Sequence, residues 1–570
     1  MGKSCTNEIG RVLAARHGVP AIPEFGNHLD LNHGGILLTL PALLACGLLN
    51  NIKRFAEVGG YYTAELVFIV LALLSLLRVK NLEQSRSIPS GELGRCLGLD
   101  RIPEVKTLRE RIDAFCLHTD VEQWSRELSG RWMQEANEPD GVLYVDGHVR
   151  LYYGNCADMP ARYVSRMRLC LMGSTDYWVN DRPGQPYFVV NKTLNEGMIK
   201  ALREEIIPRL NNEVPNQPTE EALQADEQLH CYMLVFDREC YSVDFFCYLE
   251  EQRISFCTYR KNVKEDWPEE LFSDYEIIDE NGKKEIVQLA ESVTTLKGKK
   301  EKGVAQKSIT VREIRKRKKS GHQTAIITTN RKFTLLQIAV LMFTRWCQEN
   351  FFKYISESFG IDAITSYCKN ILPATSEIVN PEYKALVKEQ KQVSAQLSAK
   401  QITYAEISLS ENQLSDKQME KHIKTKADIT EEIDVLKKKK DGIIEKKKSV
   451  DKKVTFGEAN QGKEFITSVN ERKFFFDTIK IIAYRAETAM VNIINKQMAS
   501  PKKARSLLRS LYQADADILV DNEKNILNVN IHRSNFWALD KVLDFLCKEL
   551  NQTETVFPSS NLMLVFNLVT

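Results

Sequence analysis

Three acidic residues, each closing its own motif, carry the chemistry that can be read from this chain. Asp146 lies in LYVDGHVRLYYG, Asp237 in YMLVFDRECYS and Glu349 in LLQIAVLMFTRWCQENFFKY. The first two follow short β-branched and aromatic runs that read as buried strands. The third sits in a long apolar run of helical character. A carboxylate at the end of a buried strand needs a partner or a cation to offset its desolvation. Hard divalent cations take oxygen ligands of this kind. Two such cations about 3.5–4 Å apart can drive in-line phosphoryl transfer. Arg345 lies four residues before Glu349, on the same helix face. Either it is a structural ion-pair partner, or it holds that carboxylate while its planar fork of donors meets a phosphate. His148 is either a surface histidine in a turn or a contact to the attacked phosphate.

Residues 141–261 must position the first two acids, and they read as α/β. Strands are expected at 143–146 and 149–153, joined as a hairpin around Gly147, and a third within 166–179. A helix at 194–210, a strand at 232–236, a helix at 243–250 and a strand at 254–259 follow. The order β-β-β-α-β-α-β is the plan of a ribonuclease H-like fold. From 262 to 322 short β-prone pieces (275–279, 285–290) flank the turn signal Asn281-Gly282. A basic tract containing Arg312, Arg315, Lys316 and Arg317 comes next, so this stretch reads as a β-rich insertion. A strand at 324–329 and a helix at 335–355 carrying Glu349 complete a catalytic domain over 139–375.

Residues 1–138 read as an all-helical domain. Within it, 89–115 has helix-turn-helix character, with Gly98 as a C-cap and Pro103 in the first turn of the second helix. That second helix would display Lys106, Arg109 and Arg111, either to a DNA groove or simply to solvent. Residues 381–451 are charged and poor in aromatics. Ile429, Ile433, Leu436, Ile443 and Val450 follow alternating four- and three-residue steps, a coiled-coil seam expected to close an antiparallel helical hairpin; a self-association arm is the alternative. Residues 466–570 read as a small α+β domain.

The 570 residues are 43% hydrophobic, which excludes global disorder, and the net charge is only +2, so any DNA contact must come from local basic stretches. Thirteen cysteines show no CxxC spacing and read as buried thiols of a reducing cytoplasm. The N-terminus lacks the apolar core of a signal peptide. The apolar runs 35–49 and 66–77 are too short to span a bilayer and read as buried helices, so no membrane is expected. No P-loop is present, so no nucleotide cofactor is expected.

Taken as a set, these motifs resemble the DDE transposases of bacterial insertion sequences, in the branch with a β-rich insertion before the third acid. Asp237-Arg238-Glu239 resembles that branch's DRE motif, and Arg345 with Glu349 matches the centre of its Y-x-x-R-x-x-x-E-x-x-x-x-x-x-K signature. The resemblance is strongest over 140–360. Two positions depart from it: Met342 stands at the signature Tyr and Ser356 at the signature Lys, with Lys353 one turn away. The resemblance implies that Asp146, Asp237 and Glu349 hold two Mg²⁺ or Mn²⁺ ions for cleavage and strand transfer at element ends. It implies DNA or phosphate contacts from Arg345, His148, Arg238, Lys353, Lys106, Arg109, Arg315 and Arg317. The partners implied are terminal inverted repeats and target DNA, bound by a homodimer at the nucleoid. A decayed transposase that only binds DNA, a nuclease on the same fold, and a scaffold organised by the 381–451 arm are the competing readings.

Overall fold

The computed structural model describes residues 8–55, 60–136, 141–151, 161–164, 169–192, 197–263, 265–278, 284–298, 300, 305–343, 346–362, 369–371, 377–409, 416–455, 466–468, 470–498, 501–533 and 537–569. They fall into two compact units. The first spans 1–153, 161–368 and 468–570, and the second is built chiefly from 369–467.

In the first unit, the apolar run at 66–77 lies in a helix, Ala64–Leu76, in which every residue but Glu65 is buried. A helix that is apolar all round has no face to give to water. Thr63 caps it by accepting from the Leu66 N–H at 3.2 Å. Phe68 of this helix meets Phe55, Phe115, Trp124 and Phe475 with ring centroids 4.9–5.7 Å away. Phe475 belongs to a helix of the tail, Asn470–Ile494, so the N-terminal and C-terminal regions share one core. The first 138 residues are not all helical. Strand β1, His28–Leu31, pairs antiparallel with the tail strand Ala516–Asp521. No helix among the described residues is long and apolar enough to cross a membrane.

A large mixed sheet follows: β2 Val142–Leu151, β3 Ala161–Val164, β4 Leu169–Asn180, β5 Pro186–Lys192, β6 Tyr232–Phe236, β7 Ile254–Tyr259, β8 Ser273–Ile278, β9 Lys284–Lys297, β10 Ser308–Arg317 and β11 Gln323–Thr328. Its order is β3-β4-β2-β6-β7-β11-β10-β9-β8, with β5 also on β4. Strands β2, β6 and β7 are mutually parallel. All the other pairings are antiparallel. The stretch expected as an insertion therefore supplies β8, β9 and β10, which prolong the same sheet beyond β7.

One sequence expectation is corrected and two are met with shifted bounds. The hairpin around Gly147 is one continuous strand, its ladder to β4 unbroken from Tyr144↔Asn180 to Leu151↔Gly173. Gly147 is there for close packing, because an added Cβ would meet the Tyr177 ring at 3.1 Å. The helix expected at 194–210 runs over 198–213 with a π-helical segment, Leu202–Ile206. The helix expected at 335–355 is present as Leu335–Phe343 and Trp346–Phe359, with 344–345 outside the described residues.

Helix 335–343 covers one face of the sheet. Ile338, Leu341 and Met342 pack on Tyr144, Met233, Val235, Cys257, Ile314 and Ile326. Ala339 meets Ile277, Val287 and Leu289.

The second unit is a helical hairpin, Pro381–Leu409 and Asp416–Lys448. Its ion pairs Lys400–Glu432 and Lys439–Glu389 run in opposite order along the two helices, which makes them antiparallel. Leu397, Ile429 and Ile433 form its apolar seam, with Leu436 beside them. The short ladder of Glu377–Val379 with Lys453–Thr455 closes its base.

Candidate active site at the end of a parallel ladder

The parallel register of β2 and β6 ends at Val145↔Phe236. The next residue on each strand is an acid, Asp146 and Asp237, so the two acids are lateral neighbours. Adjacent strands lie about 4.8 Å apart, and residues at matching register points project to the same face. That face is the one covered by helix 335–343, since Tyr144 and Val235, two residues back on each strand, pack against it. Between β2 and β6 the chain also changes direction across the sheet: β4 lies on one side of β2 and β6 on the other. Ligands in open α/β sheets bind at the carboxyl ends of strands at such a point.

Hydrogen bonds hold both side chains at their roots. Asp146 Oδ1 accepts from the Gly147 N–H at 2.8 Å. Asp237 Oδ1 accepts from the Arg238 N–H at 2.6 Å, capping the short turn that follows β6. Asp146 is half-buried and Asp237 exposed.

A third carboxylate stands beside them. Glu239 Oε1 accepts from Tyr177 Oη and from the Met198 N–H, each at 3.3 Å, at the start of helix 198–213. Burial pushes the Glu239 carboxyl above its ordinary range, those two hydrogen bonds work against the rise, and the charges of Asp146 and Asp237 add to it. The end of the β2–β6 ladder is thus a point of concentrated negative charge made of hard oxygen donors.

The chain carrying the third expected acid is fixed on both sides of that acid. Before it, Tyr144 Oη donates to the Leu341 carbonyl at 2.9 Å. After it, Phe352 stacks on His148 with centroids 5.5 Å apart and planes 9° from parallel. Tyr144 and His148 are the residues two before and two after Asp146 on the same strand face. Glu349 lies in helix 346–359, one turn before Phe352. Its side chain is outside the described residues, as is all of Arg345.

His148 Nε2 lies 2.6 Å from Asp362 Oδ1. Burial raises the Asp362 carboxyl, but the hydrogen bond and charge of His148, with a Ser356 hydrogen bond and the Lys473 charge, together hold it below its ordinary value. His148 is thus a held, mostly buried ring rather than a loose surface histidine. Further along β2, Arg150 lies 3.5 Å from the fully buried Asp176, which is His148's cross-strand neighbour. Lys473, paired with Asp477 one helical turn on, reaches Asp176 at 4.0 Å. Helix 470–494 therefore sends buried charges toward the site strand.

The remaining expected contacts divide clearly. Arg238 and Lys353 are exposed. Lys106 is exposed beside Glu110, and Arg109 pairs with Glu83. Arg111, expected on the surface, is buried against the Phe115 ring at 5.2 Å. Arg315 is buried, bonded to Glu313 at 2.8 Å and to the Glu265 carbonyl at 2.6 Å, and stacked on Trp267 at 4.2 Å. Arg317 donates to Gln288 at 2.9 Å and Glu269 at 2.6 Å. Both arginines hold the β-rich stretch together. Met342 is fully buried and fills core.

Sequence reasoning gave no role to Glu239, Asp362, Arg150, Asp176 or Lys473. Asp176 and Lys473 had a visible signal, a charge inside an apolar run. Asp362 had none, because only the fold brings it to His148. Among the described residues, the three side chains whose ligand atoms lie within 4.8 Å of one another are Asp30, Asp517 and His532. Asp517 Oδ1 there accepts from the Asp30 N–H at 2.9 Å and lies 3.0 Å from His532 Nε2, so these groups clasp β1 to the tail hairpin.

A family model described as "Transposase protein" matches residues 2–570. No curated protein matches the chain.

Proposed function

The chain belongs to this transposase family, and on that premise we propose that it is a DDE-type transposase of insertion-sequence origin, cutting DNA at element ends and joining the freed 3′ ends to a target. The observation that carries the reading is the lateral pairing of Asp146 and Asp237 just past the last rung of the parallel β2–β6 ladder. The strand order β5-β4-β2-β6-β7, with only β4 antiparallel to the other four, supports a ribonuclease H-like core. Glu349 lies in helix 346–359, whose Phe352 stacks on His148 two residues past Asp146, and this supports its place as the third acid.

Asp146 and Asp237 would hold Mg²⁺ or Mn²⁺ with Glu349. The donor set fits, being carboxylate oxygens in a locally negative environment. When bound, two such ions activate an attacking water and stabilise the leaving 3′ oxygen. The chain's own residues do the rest. Helix 335–343 and the rings of Phe351, Phe352 and Trp178 wall one side and exclude water. His148, fixed by Asp362, would contact the attacked phosphate. Arg238, with no acid partner among the described residues, would meet phosphate oxygens; Arg315 is committed inside the β-rich stretch and is not assigned to DNA. Lys353, Lys106 and Arg109 remain candidates for flanking contacts, and by family analogy two chains would pair the two ends.

The test is a nicking assay on labelled DNA carrying the inverted repeats that flank the gene. The chain should nick at the repeat ends only with divalent cation, and Asp146→Asn, Asp237→Asn and Glu349→Gln should each abolish nicking while sparing binding. Binding without nicking by the unaltered chain would establish the decayed reading instead. Nicking without joining would establish a nuclease.

A further inference from the structure

The register that pairs Asp146 with Asp237 continues one strand further. Strand β7 runs parallel to β6 with Val235↔Cys257, which brings Tyr259 level with Asp237 on the same face. The Arg238 guanidinium lies over the Tyr259 ring, 5.3 Å from its centroid. Two residues past the end of β7, Lys261 Nζ lies over the Tyr241 ring at 5.7 Å. Lys261 is close enough to the site to lower the Cys240 thiol, which burial first and then Glu239 and Asp237 raise.

What sets these two cations apart is their partners. Arg260, Arg312, Arg315 and Arg317, on the same sheet, each pair with a glutamate: Glu313, Glu291, Glu313 and Glu269. Arg238 and Lys261 have no acid partner among the described residues. Each is held by an aromatic face instead. A ring positions a cation without neutralising it or occupying its hydrogen-bond donors. On the β2 side of the carboxylates stand His148, paired with Asp362, and the Phe352 ring stacked on it. The cations without an acid partner among the described residues thus stand on the β7 side of the pair.

We infer that Arg238 and Lys261, seated on Tyr259 and Tyr241, form a phosphate-binding rim that guides the DNA backbone across the end of β7 into the Asp146–Asp237 pair. This rests on the strand-transfer reading of that pair. Arg238 takes phosphate oxygens through its planar fork, and Lys261 adds a point charge one step further out.

The experiment measures affinity for a fluorescent 30-base-pair duplex between 50 and 200 mM salt, without divalent cation. Each phosphate contact contributes about −0.9 to the slope of log K against log salt. Arg238→Gln and Lys261→Gln should each flatten the slope by about 0.9 and weaken binding about eightfold near 100 mM salt. The double variant should lose about 1.8 in slope, and Lys261→Arg should keep it. Thermal midpoints should not move, since neither side chain bonds into the core. An unchanged slope in the double variant overturns the rim. Asp146→Asn in the divalent-cation nicking assay separates the two ideas: if it nicks normally the catalytic reading fails, whatever the slopes show.

Discussion

Two like charges set side by side cost stability until a cation bridges them, and this gives a measurable signature. Asp146 and Asp237 are lateral neighbours, so their carboxylates lie about 5 Å apart. At an effective dielectric of about 20, two unit charges at that distance repel by about 3 kcal/mol. Water at the exposed Asp237 cuts this to about 1–2 kcal/mol. Asp146→Asn removes one charge and retains the Oδ1 that accepts from Gly147. In EDTA the variant should therefore be more stable than the unaltered chain by about 1–2 kcal/mol. Divalent cation at 100 times its dissociation constant should stabilise the unaltered chain by about 2.7 kcal/mol, and the variant far less, so the order reverses. Urea unfolding suits the measurement, because it does not screen charge as guanidinium does. An upward midpoint shift at constant slope in EDTA, reversed by Mg²⁺, is the expected result. A variant less stable than the parent in EDTA, or an equal Mg²⁺ shift in both, refutes the reasoning; Asp237→Asn should repeat the pattern.

Glu239 gives a pH signature. Its folded-state pKa is raised, so its contribution is fully present below its unfolded value of about 4.3 and is lost as pH rises through the folded value. Glu239→Gln should therefore gain stability relative to the parent as pH climbs from about 4 to 7, read from urea midpoints across that range; a constant difference would contradict the stated environment. Arg315→Ala should destabilise by about 3 kcal/mol, because Glu313 is left buried with Arg260 alone. Its DNA salt slope should equal the parent's, and a flattened slope would return Arg315 to the DNA path.

The strands that carry Asp146 and Asp237 were legible because both faces of a central parallel strand are buried, which writes a continuous apolar run ending in one polar residue. The hairpin seam at 429–443 was legible for a similar reason, a local period. Gly147 misled because a glycine inside a strand pattern signals a turn and a close approach equally well. Strand β1 was missed because its partner lies almost five hundred residues away and its burial alternates only weakly. The pairing of Arg315 with Glu313, and of Arg312 with Glu291 on the neighbouring strand, was not legible because charge in sequence does not reveal which acid each arginine will meet. The dyad of His148 with Asp362 joins residues 214 apart and left no local trace.

Whether Asp146 and Asp237 hold a divalent cation is tested most directly by replacing it with Fe²⁺ and letting ascorbate-driven oxidation cut the backbone beside the ion. Cuts should fall within a few residues of Asp146 and Asp237, with a third near Glu349, and should vanish in Asp146→Asn and Asp237→Asn. Cuts confined to the neighbourhood of Asp30, Asp517 and His532, or unchanged in both variants, would contradict a metal site at the Asp146–Asp237 pair and with it the proposed cleavage chemistry.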